Sequence, residues 1–183
     1  MLKILINSLY KVTLAVLLDL LVLLLIFYTW LFILSQDAWD EHYNKMYNRL
    51  VAQTGQTQDK LPFRIVNKNE INAYTDGKKV VIFRGMLEFC KNDSEVAMIL
   101  GHELAHKMLK HTDYSDFTEN KEELTVAEAN ADKMGAVYML KAGYDICKGR
   151  ELWKRLEHDK GNYQNGTHPN YAYRYSELNI NCK

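Results

Sequence analysis

Residues 94–111 read SEVAMILGHELAHKMLKH, and the rest of the chain is best understood from this stretch. Its apolar residues recur at helical spacing. Asn92, with Glu95 three residues later, is typical of a capped helix N-terminus. The sequence therefore predicts a helix from Asn92 to about residue 111, whose last histidine, His111, we interpret as a helix-end cation.

His102, Glu103 and His106 form the pattern His-Glu-x-x-His within this helix. Histidines four residues apart project from the same helix face, so their imidazole nitrogens can bind one Zn²⁺, with Glu103 placed to act as general base for a water molecule. The alternative is a chance match on a packed helix. That alternative would leave unpartnered histidines in an apolar environment, which is costly. The pattern therefore favours a metal site with one zinc ion per chain.

A third protein ligand is predicted on the next helix, from about residue 121 to 141, for which Gly143 is a suitable C-terminal cap. Glu128 and Asp132 lie four residues apart on it. Glu128 would complete a site of two histidines and one glutamate, and Asp132 would accept a hydrogen bond from the far nitrogen of a ligand histidine. The alternative is that both acidic side chains lie on a solvent-exposed face of this helix. The small and apolar neighbours of Glu128 favour burial instead.

Residues 12–34 form an apolar run that contains a single charge, Asp19. As a helix this run would be roughly 34 Å long, enough to cross a bilayer core of about 30 Å. We interpret it as an uncleaved transmembrane anchor. A cleaved signal peptide and a buried core helix are the alternatives, and the role of Asp19 stays open.

The charges that flank this run predict its orientation. Lys3 and Lys11 precede it, and three acidic residues follow shortly after it, namely Asp37, Asp40 and Glu41. The positive-inside rule therefore predicts a cytoplasmic N-terminus, residues 1–11, and an extracytoplasmic domain, residues 36–183.

The remaining pattern predicts an α+β fold with a small antiparallel sheet. Three short β-rich segments, 63–66, 71–74 and 79–83, are separated by turn residues. Further helices are predicted in three places: an amphipathic one at 37–53, one near 148–159, and a short one from His168-Pro169 to Tyr175.

Composition excludes some classes of function. Lys plus Arg and Asp plus Glu both total 23, which gives a formal net charge of zero. No basic patch with interleaved aromatic residues is present, so we expect no nucleic-acid partner. Of the three cysteines, Cys90, Cys147 and Cys182, two could pair outside the membrane, and their positions do not indicate which.

Residues 63–174 resemble the gluzincin family of zinc metallopeptidases that includes HtpX and the CAAX prenyl endopeptidases. The matching pieces occur in order: EINAYTDGKKVVIFRGML (70–87), SEVAMILGHELAHKMLKH, EANAD (128–132), GAVYMLKAGYD (135–145) and THPNYAYR (167–174). The resemblance implies a zincin-type helical core behind the transmembrane helix.

The resemblance also implies roles for individual residues. His102, His106 and Glu128 match the zinc ligands, Glu103 the general base, and Asp132 the acid that hydrogen-bonds a ligand. His168 matches a late histidine that stabilises the oxyanion or plugs the site as a fourth ligand. Arg174 would anchor that segment through a carboxylate. The strand around Asn72 resembles the sheet edge along which substrate backbone lies.

The chain departs from the family in having a short connection between His106 and Glu128, one anchor, and no helical-repeat module. We expect a minimal, membrane-anchored zinc endopeptidase that hydrolyses polypeptides in envelope quality control or processing, with residues 12–34 in contact with the lipid bilayer. The alternative is a non-hydrolytic, membrane-tethered polypeptide-binding module with a capped zinc site.

Overall fold

The computed structural model describes residues 2–111, 121–160, 171–178 and 182. They divide into two units, Met1–Tyr43 and Asn44–Lys183. Helix α1 spans Leu2–Val51. The sequence predicted helices at 12–34 and 37–53, and both segments are helical.

The apolar part of α1 has the character of a membrane span. Its leucines and other large apolar side chains between residues 12 and 34 are exposed rather than packed in a core. A helix that is apolar on every face is suited to a lipid environment. Within the described residues, this is the one helix that is long and apolar enough to cross a membrane by length and composition.

The second unit contains a three-stranded mixed sheet in the order β1-β3-β2, formed by β1 (Phe63–Val66), β2 (Ala73–Thr75) and β3 (Val80–Phe83). Strands β2 and β3 form the predicted antiparallel hairpin. Its turn is stabilised by Gly77 at φ 76° and by Asp76, whose carboxylate accepts the Lys78 and Lys79 backbone N–H groups. Only glycine adopts such a φ without steric cost.

The prediction of an entirely antiparallel sheet is wrong, because β1 runs parallel to β3. Strand β3 is buried along its whole length and takes the central position. The chain reverses direction between β1 and β2 and again between β2 and β3, so β1 and β3 run in the same direction. Strand β1 pairs with the side of β3 that β2 does not occupy. Sequence periodicity indicates the strands, but it carries no information on which of them are neighbours.

In the part of the second unit that the structure describes, six further α-helices follow: α2 (Arg84–Phe89), α3 (Asp93–Met108), α4 (Lys121–Lys141), α5 (Ile146–Gly149), α6 (Glu151–Lys160) and α7 (Tyr171–Glu177). The N-terminus of α3 is confirmed, since the Asn92 side chain accepts the Glu95 N–H. Gly143, at φ 85°, ends α4 as predicted. The short helix α2 was not predicted. His168 and Pro169, where the last helix was predicted to begin, lie outside the described residues.

Helices α3 and α4 cross in contact at two glycines. A Cβ atom added to Gly101 would lie 2.8 Å from the Gly135 carbonyl oxygen, and one added to Gly135 would lie 2.6 Å from the His102 backbone nitrogen. Both distances are far below an ordinary carbon contact of about 3.5–4.0 Å. The absence of side chains here lets the two backbones touch, and this brings α4 against the histidine-bearing part of α3.

The C-terminal helices pack around Trp153, whose side chain is 1% exposed. The Tyr171 ring of α7 is stacked with the Trp153 ring, and their centroids are 6.0 Å apart. The Arg174 guanidinium lies 3.7 Å from the Trp153 ring centroid. A disulfide between Cys147 and Cys182 links α5 to the chain beyond α7. This contact set fixes α7, and with it Arg174, against the rest of the unit.

Candidate metal centre

Helix α3 presents both histidines of the motif toward α4. His102 is 3% exposed, and the His106 side chain is 12% exposed. Their Nε2 atoms lie 3.0 Å apart. Because two lone pairs facing each other at this distance would repel, the arrangement requires either a hydrogen-bonding proton or a bound cation between the two nitrogens.

Glu128 of α4 closes the cluster. Its Oε2 lies 3.3 Å from His102 Nε2, and its Oε1 lies 3.3 Å from His106 Nε2. Tetrahedral zinc with bonds of about 2.0–2.2 Å holds its ligand atoms roughly 3.3–3.5 Å apart. The observed separations therefore fit a zinc-sized cation, and these three residues form the one candidate metal cluster among the described residues.

Asp132, one turn beyond Glu128, contacts the opposite side of the His102 ring. The His102 Nδ1 atom lies 2.9 Å from Asp132 Oδ1. The tautomer that leaves Nε2 free for a metal carries its proton on Nδ1 and donates it to this carboxylate. A carboxylate in this position fixes the ring orientation and raises the basicity of the ligand nitrogen.

Arg174 of α7 completes this buried network. Its Nε donates to Asp132 Oδ2 at 2.7 Å and its Nη2 to Asp132 Oδ1 at 2.5 Å. Both side chains are 4% exposed. The paired N–H donors match the two oxygens of the carboxylate, which is the geometry that makes Arg–Asp pairs strong. The ion pair therefore holds Asp132 in the position in which it contacts His102.

The charges in this network act on one another. Burial alone would raise the pKa of Asp132, but the Arg174 guanidinium outweighs it and holds that pKa well below its usual range. Burial and Arg174 would lower the pKa of His102, yet hydrogen bonds to the Asp132 and Glu128 carboxylates raise it to about 9. The two carboxylates therefore surround the His102 ring with negative charge, which favours a cation at this position, either a proton or a metal ion.

Glu103 follows His102 on α3 and is 9% exposed. It is not part of the three-residue cluster. Its assignment as general base stays a prediction from the sequence.

His111 contacts the site, which the sequence did not predict. Its Nδ1 lies 3.1 Å from His106 Nδ1, and burial together with the nearby His106 lowers the pKa of His111. The interpretation of His111 as a helix-end cation is therefore wrong. The cause is Lys110, which adopts a left-handed φ of 60° after α3 and turns His111 back toward His106. A positive φ at a lysine is not readable from sequence.

The strand β2 lies at the edge of the sheet, and helix α3 packs beside it. The Asn72 carbonyl accepts the Phe83 N–H, so it is already used within the sheet. The alternation of an antiparallel ladder then turns the backbone N–H and C=O groups of Ala73 and Thr75 away from β3. An added strand would pair with these two residues rather than with Asn72. His168 lies outside the described residues.

The sequence profile of peptidase family M48 matches residues 38–127. A mitochondrial metalloendopeptidase OMA1 of Schizosaccharomyces pombe is 24% identical over 170 residues, which covers 74% of this chain and 50% of that protein. A beta-barrel assembly-enhancing protease of Yersinia pestis is 33% identical over 72 residues, 39% of this chain and 15% of that protein.

A CAAX prenyl protease 1 homolog of Arabidopsis thaliana is 40% identical over 48 residues, 24% of this chain and 11% of that protein. The chain thus spans half or less of the length of these curated relatives. The resemblance inferred from the motifs is confirmed by these matches. The apolar helix α1 additionally indicates a single-pass membrane protein.

Proposed function

Because the chain belongs to peptidase family M48, we propose that it is a membrane-anchored zinc metalloendopeptidase that hydrolyses peptide bonds of polypeptide substrates. The observation that supports this most is the convergence of His102, His106 and Glu128, with mutual distances of 3.0–3.3 Å. Two imidazoles and one carboxylate form a ligand set typical of catalytic zinc, which keeps a fourth position open.

Each residue of the site has a distinct role in the proposed hydrolysis. Zinc, when bound, supplies a Lewis acid that polarises the scissile carbonyl. Glu103 takes a proton from the attacking water while the oxygen of that water forms a bond to the carbonyl carbon. Glu103 then gives this proton to the amine nitrogen as the C–N bond breaks. Asp132 and Arg174 keep the His102 ring oriented throughout.

Two further roles are part of the proposal. An extended substrate adds to the edge of β2 through the outward backbone groups of Ala73 and Thr75, which is a known mode of peptide recognition. His168 donates a hydrogen bond to the oxyanion that develops on the carbonyl, an interaction commonly worth about 3 kcal/mol. Protein quality control or processing at a cell envelope is the role we assign to the enzyme.

The proposed orientation has two independent supports. Lys3 and Lys11 precede the apolar run 12–34, which favours a cytoplasmic N-terminus, residues 1–11. The disulfide between Cys147 and Cys182 is typical of an oxidising compartment outside the cytoplasm. Both support the proposal that the peptidase domain, residues 36–183, lies on the extracytoplasmic side.

The test uses the full chain purified in detergent micelles, with a fluorogenic casein assay and zinc quantified by elemental analysis. Wild type should bind one zinc ion, cleave casein, lose activity to a chelator and regain it with zinc. Glu103→Gln should keep the zinc and lose at least about 10²-fold in rate. Glu128→Ala should lose the zinc.

Glu88→Gln is the matched control, because it makes the same carboxylate-to-amide change at an exposed position on α2. It should retain zinc and activity. A Glu103→Gln protein as active as wild type would refute the assignment of the base. A wild type that binds zinc and casein without cleaving it would instead identify a non-hydrolytic binding module.

A further inference from the structure

The two histidines of the cluster have different partners on their far sides. His102 Nδ1 contacts the Asp132 carboxylate at 2.9 Å, whereas His106 Nδ1 contacts His111 Nδ1 at 3.1 Å. The His106 and His111 ring centroids are 5.1 Å apart with an interplanar angle of 73°. The two rings are therefore close and roughly perpendicular.

The proton positions follow from counting donors and acceptors. His106 Nε2 faces Glu128 and the other histidine, so it must present its lone pair if it is to bind a metal. A neutral imidazole with a free Nε2 carries its hydrogen on Nδ1. That hydrogen points at His111 Nδ1, which must then be the acceptor, so the hydrogen of His111 resides on its own Nε2.

We propose that His111 is a positioning residue for the metal centre, which accepts the Nδ1–H of His106 and so fixes its tautomer and ring orientation. This role rests on the proposed function, since it has meaning only if His106 binds zinc. His111 does for His106 what Asp132 does for His102. Groups that orient metal ligands in this way contribute strongly to metal affinity.

The backbone before His111 supports the same conclusion. Lys110 lies at φ 60°, and for a residue other than glycine this left-handed conformation costs roughly 1–2 kcal/mol. Strain of this kind persists where surrounding contacts require it. Here it turns the chain so that His111 reaches a ring five residues earlier, across the end of α3.

The expected effect is moderate. Loss of a group that orients a metal ligand typically weakens metal binding 10- to 100-fold. His111 is a neutral acceptor, and neutral hydrogen bonds are about half as strong as those to a carboxylate. We therefore expect His111→Ala to weaken zinc binding about tenfold, and Asp132→Ala to weaken it more.

The experiment measures zinc affinity by competition with a chromogenic chelator, on the full chain in detergent micelles. It compares wild type with His111→Ala, His111→Asn and His111→Phe. Asn places a carbonyl oxygen near the position of Nδ1 and should restore affinity to within about threefold of wild type. Phe fills the space without an acceptor and should bind zinc as weakly as Ala. His158→Ala, an exposed histidine on α6, is the matched control.

The pattern across these variants decides the proposal. Weak binding in Ala and Phe with recovery in Asn supports it, because a packing role would favour Phe over Asn. Wild-type affinity in His111→Ala, or an Asn variant as weak as Ala, overturns it while leaving the proposed function intact. A wild type that binds no zinc overturns both. Thermal unfolding followed by circular dichroism verifies that each variant is folded.

Discussion

Adding one methyl group at Gly135 is expected to disrupt the metal centre without removing any of its ligands. The new Cβ of Gly135→Ala would lie 2.6 Å from the His102 backbone nitrogen and 2.7 Å from the Gly101 carbonyl carbon. Since an ordinary contact is about 3.5–4.0 Å, helices α3 and α4 must separate by about 1 Å. Metal ligands tolerate displacements of only about 0.2 Å, so Glu128 would move out of bonding range.

The magnitude follows from the cost of overpacking, typically about 1–3 kcal/mol. Without zinc the helices relieve this strain by moving apart. Zinc binding must bring the helices back together, and the strain then opposes binding. The affinity for zinc should therefore fall about 5- to 150-fold. The assay is chelator competition on the full chain in micelles, together with thermal unfolding followed by circular dichroism.

Gly55→Ala is the matched control. A Cβ at Gly55 meets nothing within 4 Å, although its φ of 72° makes alanine strained there. This variant should lose stability without losing affinity for zinc. If Gly135→Ala binds zinc as tightly as wild type, the helix contact does not position Glu128 and the reasoning is refuted.

Three further outcomes are expected. Burial and Glu95 raise the pKa of the Cys90 thiol to about 12. Alkylation of this thiol by iodoacetamide should therefore be slow at pH 8, and its rate should rise about tenfold per pH unit. A fast reaction at pH 8 would contradict this. Lys110→Gly should raise the melting temperature by about 2–4 °C, since glycine adopts φ 60° without cost; an unchanged melting temperature would show no strain there. Arg174→Gln leaves the buried Asp132 carboxylate uncompensated and should cost about 3–5 kcal/mol in urea unfolding, whereas a loss below about 1 kcal/mol would show that the pair is dispensable.

The sequence indicates local features of this protein well. The start of α3, the three strands, and the helix that carries Glu128 and Asp132 depend on residues a few positions apart, and propensity and capping act at that range. The four-residue spacing on each of two helices also indicates which side chains share a face. That is why the grouping of His102, His106 and Glu128 could be predicted before their distances were known.

The features that were missed depend on contacts between distant residues or on unusual backbone. The parallel pairing of β1 with β3 depends on which strand takes the central position. The contact between Gly101 and Gly135 joins two helices, and a glycine within a helix gives no hint of its partner. His111 reaches His106 only because Lys110 is left-handed. Local sequence patterns do not encode these relations.

The bridge between Cys147 and Cys182 closes the C-terminal part of the second unit into a covalent ring, whose two cysteines are 35 positions apart in the sequence. A single cut in the backbone between these cysteines would open the ring but release nothing, since both pieces stay attached through sulfur. The helix that carries Arg174 lies inside this ring. A chain built in this way can be cut once between these cysteines and still keep Arg174, which holds Asp132, covalently attached.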